Sequence, residues 1–533
     1  MRDGAAERRE PARTSPDLSR ASGPPSNQVR RRHPVGYRPP RVRDQVTPGA
    51  PPASARARGT EASVFLRPRR PPAGPGPIWS AHLVKNTHTP ARDRRALTLT
   101  LLSLLQFLIA IDVTVVNVAV PTIGAHFHAG TSSLSWVVTG YTVVGGGLLL
   151  LGGRLTDLLG RRRMFLLGAA LFALASLAAG LAPNLEALIA ARFAQGAGEA
   201  LASPAAMSLI ALLYPAPDER AKALGIWGAI SASGLVVGVL LSGAIVQLLD
   251  WRWIFGINVP VAAVVLLATP ALVGPDGPRR RGLAGRRLDL PGAALLTAGP
   301  LLLVFGVLRH SVPAALAGCA LLGAFVAVER CAKNPLVPLG FFAHRTRTVA
   351  NAATVLLSAG LSTTFFLATL YLQDVLGLTP LQAGLAYLPF CASLLVAMAV
   401  VGRVVQALGT AYAAVAGLLL TAAGLALLAR LPDRGSLWVD VLPGMVAVAA
   451  GMGIGLIALQ NAALSDVTEA DAGTASGVQR SVDQLGGSLG LSVLVGGSFT
   501  GAAQVADFRL AFGWATVGVL VAAAGVLLAL RKK

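Results

Sequence analysis

IDVTVVNVAVP, residues 111 to 121, closes an apolar run that begins near Leu97. The run is long enough to cross a bilayer, whose hydrocarbon core takes about 20 residues of helix. One carboxylate, Asp112, sits inside it. A charged group at membrane depth is costly, so it normally faces a protein interior or a watery cavity and marks an ion, proton or substrate path. On a helix Thr114 and Asn117 share one face, and Asp112 lies on nearly the opposite one. Lipid cannot surround such a helix. It belongs inside a bundle, and the rest of the chain is expected to supply that bundle.

Composition points the same way. With 54% hydrophobic residues, 13% charged residues and a mean hydropathy of +0.62, the chain is too apolar for a soluble protein. Fourteen apolar runs of spanning length follow one another between about residues 97 and 530. The expected fold class is an all-α integral membrane protein with 14 transmembrane helices. GRLTDLLG at 153 to 160 recurs as GRVVQALG at 402 to 409, each after the second helix of a set of six. Duplicated halves with a binding site between them at the midplane are a recurrent transporter plan. The expected organisation is a basic tail over 1–95, a six-helix half over 96–273, a basic loop with two extra helices over 274–348, and a second six-helix half over 349–533.

The net charge of +21 resembles a nucleic-acid signal until it is mapped. Residues 1–95 hold 20 Lys/Arg against 7 Asp/Glu, a net of +13, in a Pro- and Arg-rich stretch with little hydrophobic periodicity. Such a stretch is expected to be disordered and solvated, with no nucleic-acid partner. No methionine occurs between Met1 and Met164, so a start near Val64 or Val84 from a non-AUG codon is an alternative that the intact mass decides. The first apolar run follows a long hydrophilic tail without a cleavage site in the right context, so no signal peptide is expected. Outside the tail, the loops on the side of the termini carry 19 Lys/Arg and the opposite loops carry 5. The positive-inside rule then places both termini in the cytoplasm. The Ala, Gly and Arg bias suggests a bacterial genome, hence a multi-pass protein of the bacterial inner (plasma) membrane. Cys319, Cys331 and Cys391 show no metal-ligand spacing, and packing is their expected role.

Several clusters carry candidate chemistry. Gly153, Arg154, Asp157, Gly160 and Arg161 to Arg163 read as a dense charged turn, with glycines for a tight reversal and Asp157 free to pair with the arginines or cap the next helix. Such a cluster can latch one conformation, and simple topogenic charge is the plainer alternative. Arg192, Gln195 and Glu199 share one helix face. A buried arginine needs a carboxylate, and Asp112 is a candidate; Arg192 and Glu199 are about 10 Å apart along the axis and need Gln195 or a water between them. Gly234, Gly238 and Gly243 lie in a small-residue run suited to close helix packing. Arg480 and Asp483 are spaced for pairing, either lining a cavity or forming a structural ion pair at the rim. Gly486 to Gly490 matches G-x-S-x-G but lacks the preceding strand, and His126 and His128 lack a third ligand, so neither an enzyme nor a metal site is expected.

Taken in order, IDVTVVNVAVP at 111, WVVTGY at 136, GGRLTDLLGRRR at 152, RFAQGAG at 192, WRWIFGINVP at 251, LDLPGAALL at 288, YLQDVLGLTPLQAGLAYLP at 371 and DAGTASGVQR at 471 resemble the major facilitator superfamily, in its fourteen-helix drug:proton antiporter branch. The resemblance implies drug efflux driven by inward proton flow, without a cofactor, by alternating access between the two halves. Its partners would be a drug-like small molecule, often hydrophobic and cationic, protons and the lipid membrane, with the protein acting as a monomer. Asp112 and Arg192 match the family's proton-coupling acid and arginine, and Glu199 is grouped with them. Gly153, Arg154, Asp157, Gly160 and Arg161 match its gating loop. Asn117, Gln195, Arg480 and Asp483 are expected to line the substrate cavity. Val239 stands where a proline usually follows the glycine at Gly238, and Ser242 stands where another glycine is expected. A metabolite, peptide or amino-acid carrier, or a membrane sensor acting through the tail, are the alternatives to a drug pump.

Overall fold

The computed structural model describes residues 91–276, 289–465, 467, 472–499 and 504–530. Residues 1–90 of the tail expected to be disordered and the arginines at 279–281, 286, 287 and 531 lie outside the described residues, whereas residues 91–95 of that tail are helical, as the start of α1 (Ala91–Phe127).

The described chain is helical. Its long helices are α1 (Ala91–Phe127), α2 (Thr131–Leu159), α3 (Arg161–Gly180), α4 (Leu185–Leu213), α5 (Pro217–Leu248) and α6 (Trp253–Leu272). Then come α7 (Leu290–Leu308) and α8 (Val312–Cys331), followed by α9 (Arg345–Val375), α10 (Pro380–Leu408), α11 (Thr410–Leu428), α12 (Leu437–Ala463), α13 (Ala472–Ser498) and α14 (Val505–Leu530). Among the described residues, thirteen of these fourteen are long and apolar enough to cross a membrane. The exception is α13, which carries Gln479, Arg480, Asp483 and Gln484. Its 27 residues still reach about 40 Å, enough to span. It packs between α2, α7 and α9, so protein rather than lipid meets its polar side. The protein is a multi-pass membrane protein.

Local chemistry sets the helix ends. Asn184 Oδ1 accepts from the N–H of Ala187 and starts α4, Asp289 caps α7 through the N–H of Gly292, and Thr379 with Gln382 forms a reciprocal cap on α10. The charged turn between α2 and α3 is shorter than the sequence suggests. Gly153, Arg154 and Asp157 lie within the last turns of α2, and Gly160 alone separates the two helices, at φ +108°. Gly409 does the same job between α10 and α11 at φ +80°, so the repeated octapeptides end in matching left-handed glycines. Asp157 caps nothing. The start of α3 is capped from elsewhere, by Asp276, whose carboxylate accepts from the N–H groups of Arg162 and Arg163 at 3.0 and 3.3 Å. α1 also runs past Pro121 to Phe127, where His126 contacts Arg252 and Trp251, instead of ending at the proline.

Close packing joins α1 to α5. A Cβ on Gly234 would come within 2.8 Å of Ala110, and one on Gly238 would collide with Thr114 and lie 3.0 Å from the carbonyl of Ile111. Ser242 Oγ donates to the Val115 carbonyl at 2.6 Å. The substituted fifth-helix positions thus still serve packing, and α5 runs unbroken from Pro217 to Leu248. Gly243 faces the other way, against the backbone of Pro380 and Leu381 at the start of α10. Packing accounts for Cys391, which is buried, but not for Cys319 and Cys331, which are exposed.

Candidate functional site

Asp112 is 1% exposed and receives three donors. Arg192 Nη1 from α4 donates to its Oδ2; Gln195 Nε2 from α4 and Asn258 Nδ2 from α6 donate to its Oδ1 at 3.0 and 2.9 Å. Arg192 Nε donates to the Val137 carbonyl of α2 and Nη1 also to Gln195 Oε1, both at 2.8 Å, and its guanidinium lies 4.4 Å from the centre of the Tyr141 ring. Ser176 on α3 accepts from Gln195 Nε2 at 2.8 Å. Five helices of the first half therefore meet at one ion pair, and each charge is both paired and hydrogen-bonded, as burial requires. The pairing of Arg192 with Asp112 expected from the sequence is present. Tyr141, Ser176 and Asn258 carry no titrating charge in the physiological range and gave no periodicity signal; Tyr141 and Asn258 lay inside the quoted WVVTGY and WRWIFGINVP stretches without an assigned task.

Glu199 belongs to a second cluster. It is 1% exposed, yet its partners come from α13: Gln484 Nε2 donates to its Oε1 at 2.9 Å, and Arg480 Nη2 lies 3.8 Å away. Its Oε2 is buried without a hydrogen bond, as is Gln484 Oε1. Both lie over Gly145 of α2, where a Cβ would meet them at 3.3 and 3.1 Å. Between the two clusters stands Tyr141, with its ring under Arg192 and its hydroxyl facing Glu199, in place of the Gln195 or water bridge that helix geometry suggested.

The seam between α2 and α13 continues on either side. Ser481 Oγ donates to the Gly146 carbonyl, and the hydroxyls of Thr142 and Ser488 are 2.5 Å apart. Arg480 Nη1 also lies 3.9 Å from Asp483, whose Oδ1 accepts from Ser358 of α9 at 2.5 Å. The four residues expected to line one cavity do not converge. Gln195 is held within the Asp112 cluster, and Asn117 donates to its own helix at the Val113 carbonyl, with Oδ1 unpaired. Arg480 and Asp483 sit together at the seam, with side chains 50% and 31% exposed. The reason is geometric: Asn117 faces away from α4, and α4 turns Gln195 and Glu199 toward different neighbours. Arg154, at the end of α2, donates to the Pro335 carbonyl beyond α8 at 3.2 Å.

Comparison with known proteins adds a family. The model of the Major Facilitator Superfamily matches residues 102–491. The chain is similar to the lincomycin resistance protein of Streptomyces lincolnensis, at 52% identity over 450 residues, 82% of this chain and 92% of that protein. It is also similar to the puromycin resistance protein pur8 of Streptomyces alboniger, at 38% identity over 400 residues, 73% of this chain and 79% of that one. Among solved structures, it shares its fold with the nucleoside transporter NupG (TM-score 0.59, 13% identity, 82% of this chain and 99% of that one). The same holds for a bacterial homologue of the human lysosomal transporter Spinster in an inward-facing conformation (TM-score 0.58, 17% identity, 82% and 97%).

Proposed function

The chain belongs to the Major Facilitator Superfamily, and we propose that it exports antibiotic-like compounds across the plasma membrane in exchange for protons. It is a transporter rather than an enzyme. The observation that carries the coupling is the Asp112–Arg192 pair, fully buried and ringed by neutral hydrogen-bonding groups: donors from α4 and α6 and acceptors from α2 and α3. A proton arriving on Asp112 loosens its hold on Arg192. Tyr141 passes that change towards Glu199, because it touches both.

Glu199 is the acid that can feel the other half. Its Oε2 and the Oε1 of Gln484 are two acceptors side by side, and a proton on Glu199 would remove the negative charge from one of them. The same proton removes the charge facing Arg480 and so weakens the ionic part of the contact between α4 and α13, leaving the Gln484 hydrogen bond. The substrate enters between the halves at the seam, where Arg480 and Asp483 remain accessible. The arginine-rich loop ends face the cytoplasm, and the tail over 1–84 is dispensable.

The resistance proteins among its relatives make lincomycin the first substrate to try, beside a lipophilic cationic dye. Efflux from cells expressing the wild type is expected to be abolished by a protonophore and lost in Asp112→Asn at equal expression, and to persist when residues 1–84 are deleted. Full proton-driven efflux by Asp112→Asn would refute the coupling role. Absence of efflux of either compound by well-expressed wild type would refute the substrate class.

A further inference from the structure

The helix pair α7 and α8 holds two buried acids that the transport cycle above does not use. Asp289 and Glu329 are 9% and 3% exposed. One oxygen of each has a backbone donor: Asp289 Oδ1 accepts from Gly292 at 2.8 Å, and Glu329 Oε2 accepts from Val337 at 3.2 Å. The other oxygens, Asp289 Oδ2 and Glu329 Oε1, are buried without any partner. They aim at one point. A Cβ built on Gly292 would lie 2.7 Å from the first and 2.9 Å from the second, so the space between them exists because residue 292 has no side chain.

Two carboxylates in such proximity, shielded from water, carry two negative charges only at a cost in repulsion and desolvation; one proton held between them relieves it and supplies the donor that both free oxygens lack. We propose that Asp289 and Glu329 share one proton, forming a binding site separate from the Asp112 cluster, and that this proton sets the grip of the segment 335–337 on α2. The link is Arg154. Its Nη2 holds the Pro335 carbonyl at 3.2 Å, while Glu329 holds Val337 two residues on. The charges acting on Glu329 are Asp289 from α7 and Arg154 from α2. Asp157 on α2, Arg330 and Lys333 beyond Glu329, His344 before α9, and Arg480 on α13 are all exposed. When the proton leaves to water, the pair holds two anions beside the guanidinium. Arg154 then turns from the Pro335 carbonyl to the carboxylates, and the segment loosens from the end of α2.

The full chain in phospholipid vesicles provides the test, by infrared difference spectra of the protonated-carboxyl band between acid and alkaline pH. Glu329→Gln and Asp289→Asn each keep the acceptor that serves the backbone, so both are expected to fold. One titrating carboxyl present in wild type is expected to vanish in both single variants and to persist in Asp112→Asn. Spectra unchanged in both variants, or a step lost in only one, would overturn the shared proton. Replacing potassium by sodium is expected to leave the step in place; its loss would assign the space to a metal cation instead. Deuterium uptake over 332–344, corrected for the intrinsic pH dependence of exchange, is expected to be roughly tenfold slower at pH 6 than at pH 8 in wild type, and uniformly slow in Glu329→Gln. Equal protection at both pH values in wild type would remove the link to α2.

Discussion

Removing both charges of the Asp112–Arg192 pair should cost less than removing either one, and far less than the sum of the two single removals. Deleting a single partner of a buried ion pair typically costs about 3–5 kcal/mol, because the survivor is left uncompensated. After Arg192→Gln, Asp112 keeps the donors of Gln195 and Asn258, which places that variant near the lower bound, at about 3 kcal/mol. After Asp112→Asn, Arg192 keeps the Val137 carbonyl, Gln195 Oε1 and the Tyr141 face; a desolvated cation–π contact is worth up to about 2 kcal/mol, so the loss is again about 3 kcal/mol. Independent effects would sum to about 6 kcal/mol, whereas the double variant has no buried charge to strand and is expected to lose only about 2 kcal/mol. The coupling of about 4 kcal/mol is nearly three decades in the unfolding equilibrium. It can be measured on purified protein in mixed micelles titrated with a denaturing detergent. Double-variant losses equal to the sum within about 0.5 kcal/mol would refute the account. The double variant should fold and still fail to couple efflux to protons, which separates the role of the pair in stability from its role in transport.

Gly238→Ala places a methyl against Thr114 and 3.0 Å from the Ile111 carbonyl, and should lower stability by about 1–3 kcal/mol, with partial recovery when Thr114→Ala is added; thermal unfolding of the three proteins checks this. Glu199→Gln keeps an acceptor for Gln484, and its lost partner Arg480 is half exposed at 3.8 Å, so stability should change by less than about 1 kcal/mol. Spin labels at the matching ends of α4 and α13 are nevertheless expected to report longer distances in that variant, and an unchanged distribution would remove the latch. Gly160→Ala forces a side chain to φ +108° and into the Asp276 carboxylate, and should cost more than Asp276→Ala, whose lost cap is worth about 1 kcal/mol; equal melting points for the two would contradict this ordering.

The sequence exposed the fold because membrane helices announce themselves by length and apolarity, which hold without knowledge of neighbours. α13 shows the limit of that signal. Its polar positions are matched by α2 and α9, so the chain could lower its hydropathy there at little cost, and only the threefold environment of the helix explains why. The Asp112–Arg192 pair was legible because two isolated charges in apolar runs need one another. The partners of Glu199 on α13 were not legible, since helix spacing gives the face a residue occupies on its own helix and says nothing of which helix stands opposite. For the same reason Asp157, adjacent in sequence to the arginines, lost the capping role to Asp276, more than 100 residues away. Asp289, inside the quoted LDLPGAALL, and Glu329 received no task because each lies at the end of an apolar run, where an acid passes for a boundary charge.

The contacts between the two halves differ in kind from one region to another, and the difference bears on how a proton could move them. α5 meets α10 through backbone: Gly243 lies against Pro380 and Leu381, and Gln247 Oε1 accepts from the N–H of Leu381 at 3.3 Å. α1 meets the end of α9 where Gln373 donates to the Val118 carbonyl at 2.8 Å. None of these groups titrates, so these contacts keep their strength whatever the proton supply. At the α4–α13 contact the bonds involve the carboxylate of Glu199, and protonation cancels its attraction to Arg480 while leaving the neutral hydroxyl contacts of Thr142, Ser481 and Ser488 in place. The response to a proton is therefore one-sided. In the proposed exchange of substrate for protons, the first region would serve as the hinge because its contacts are indifferent to pH, and the Glu199 contact would be the one that loosens; a carrier that opens its two ends in alternation needs that inequality between them.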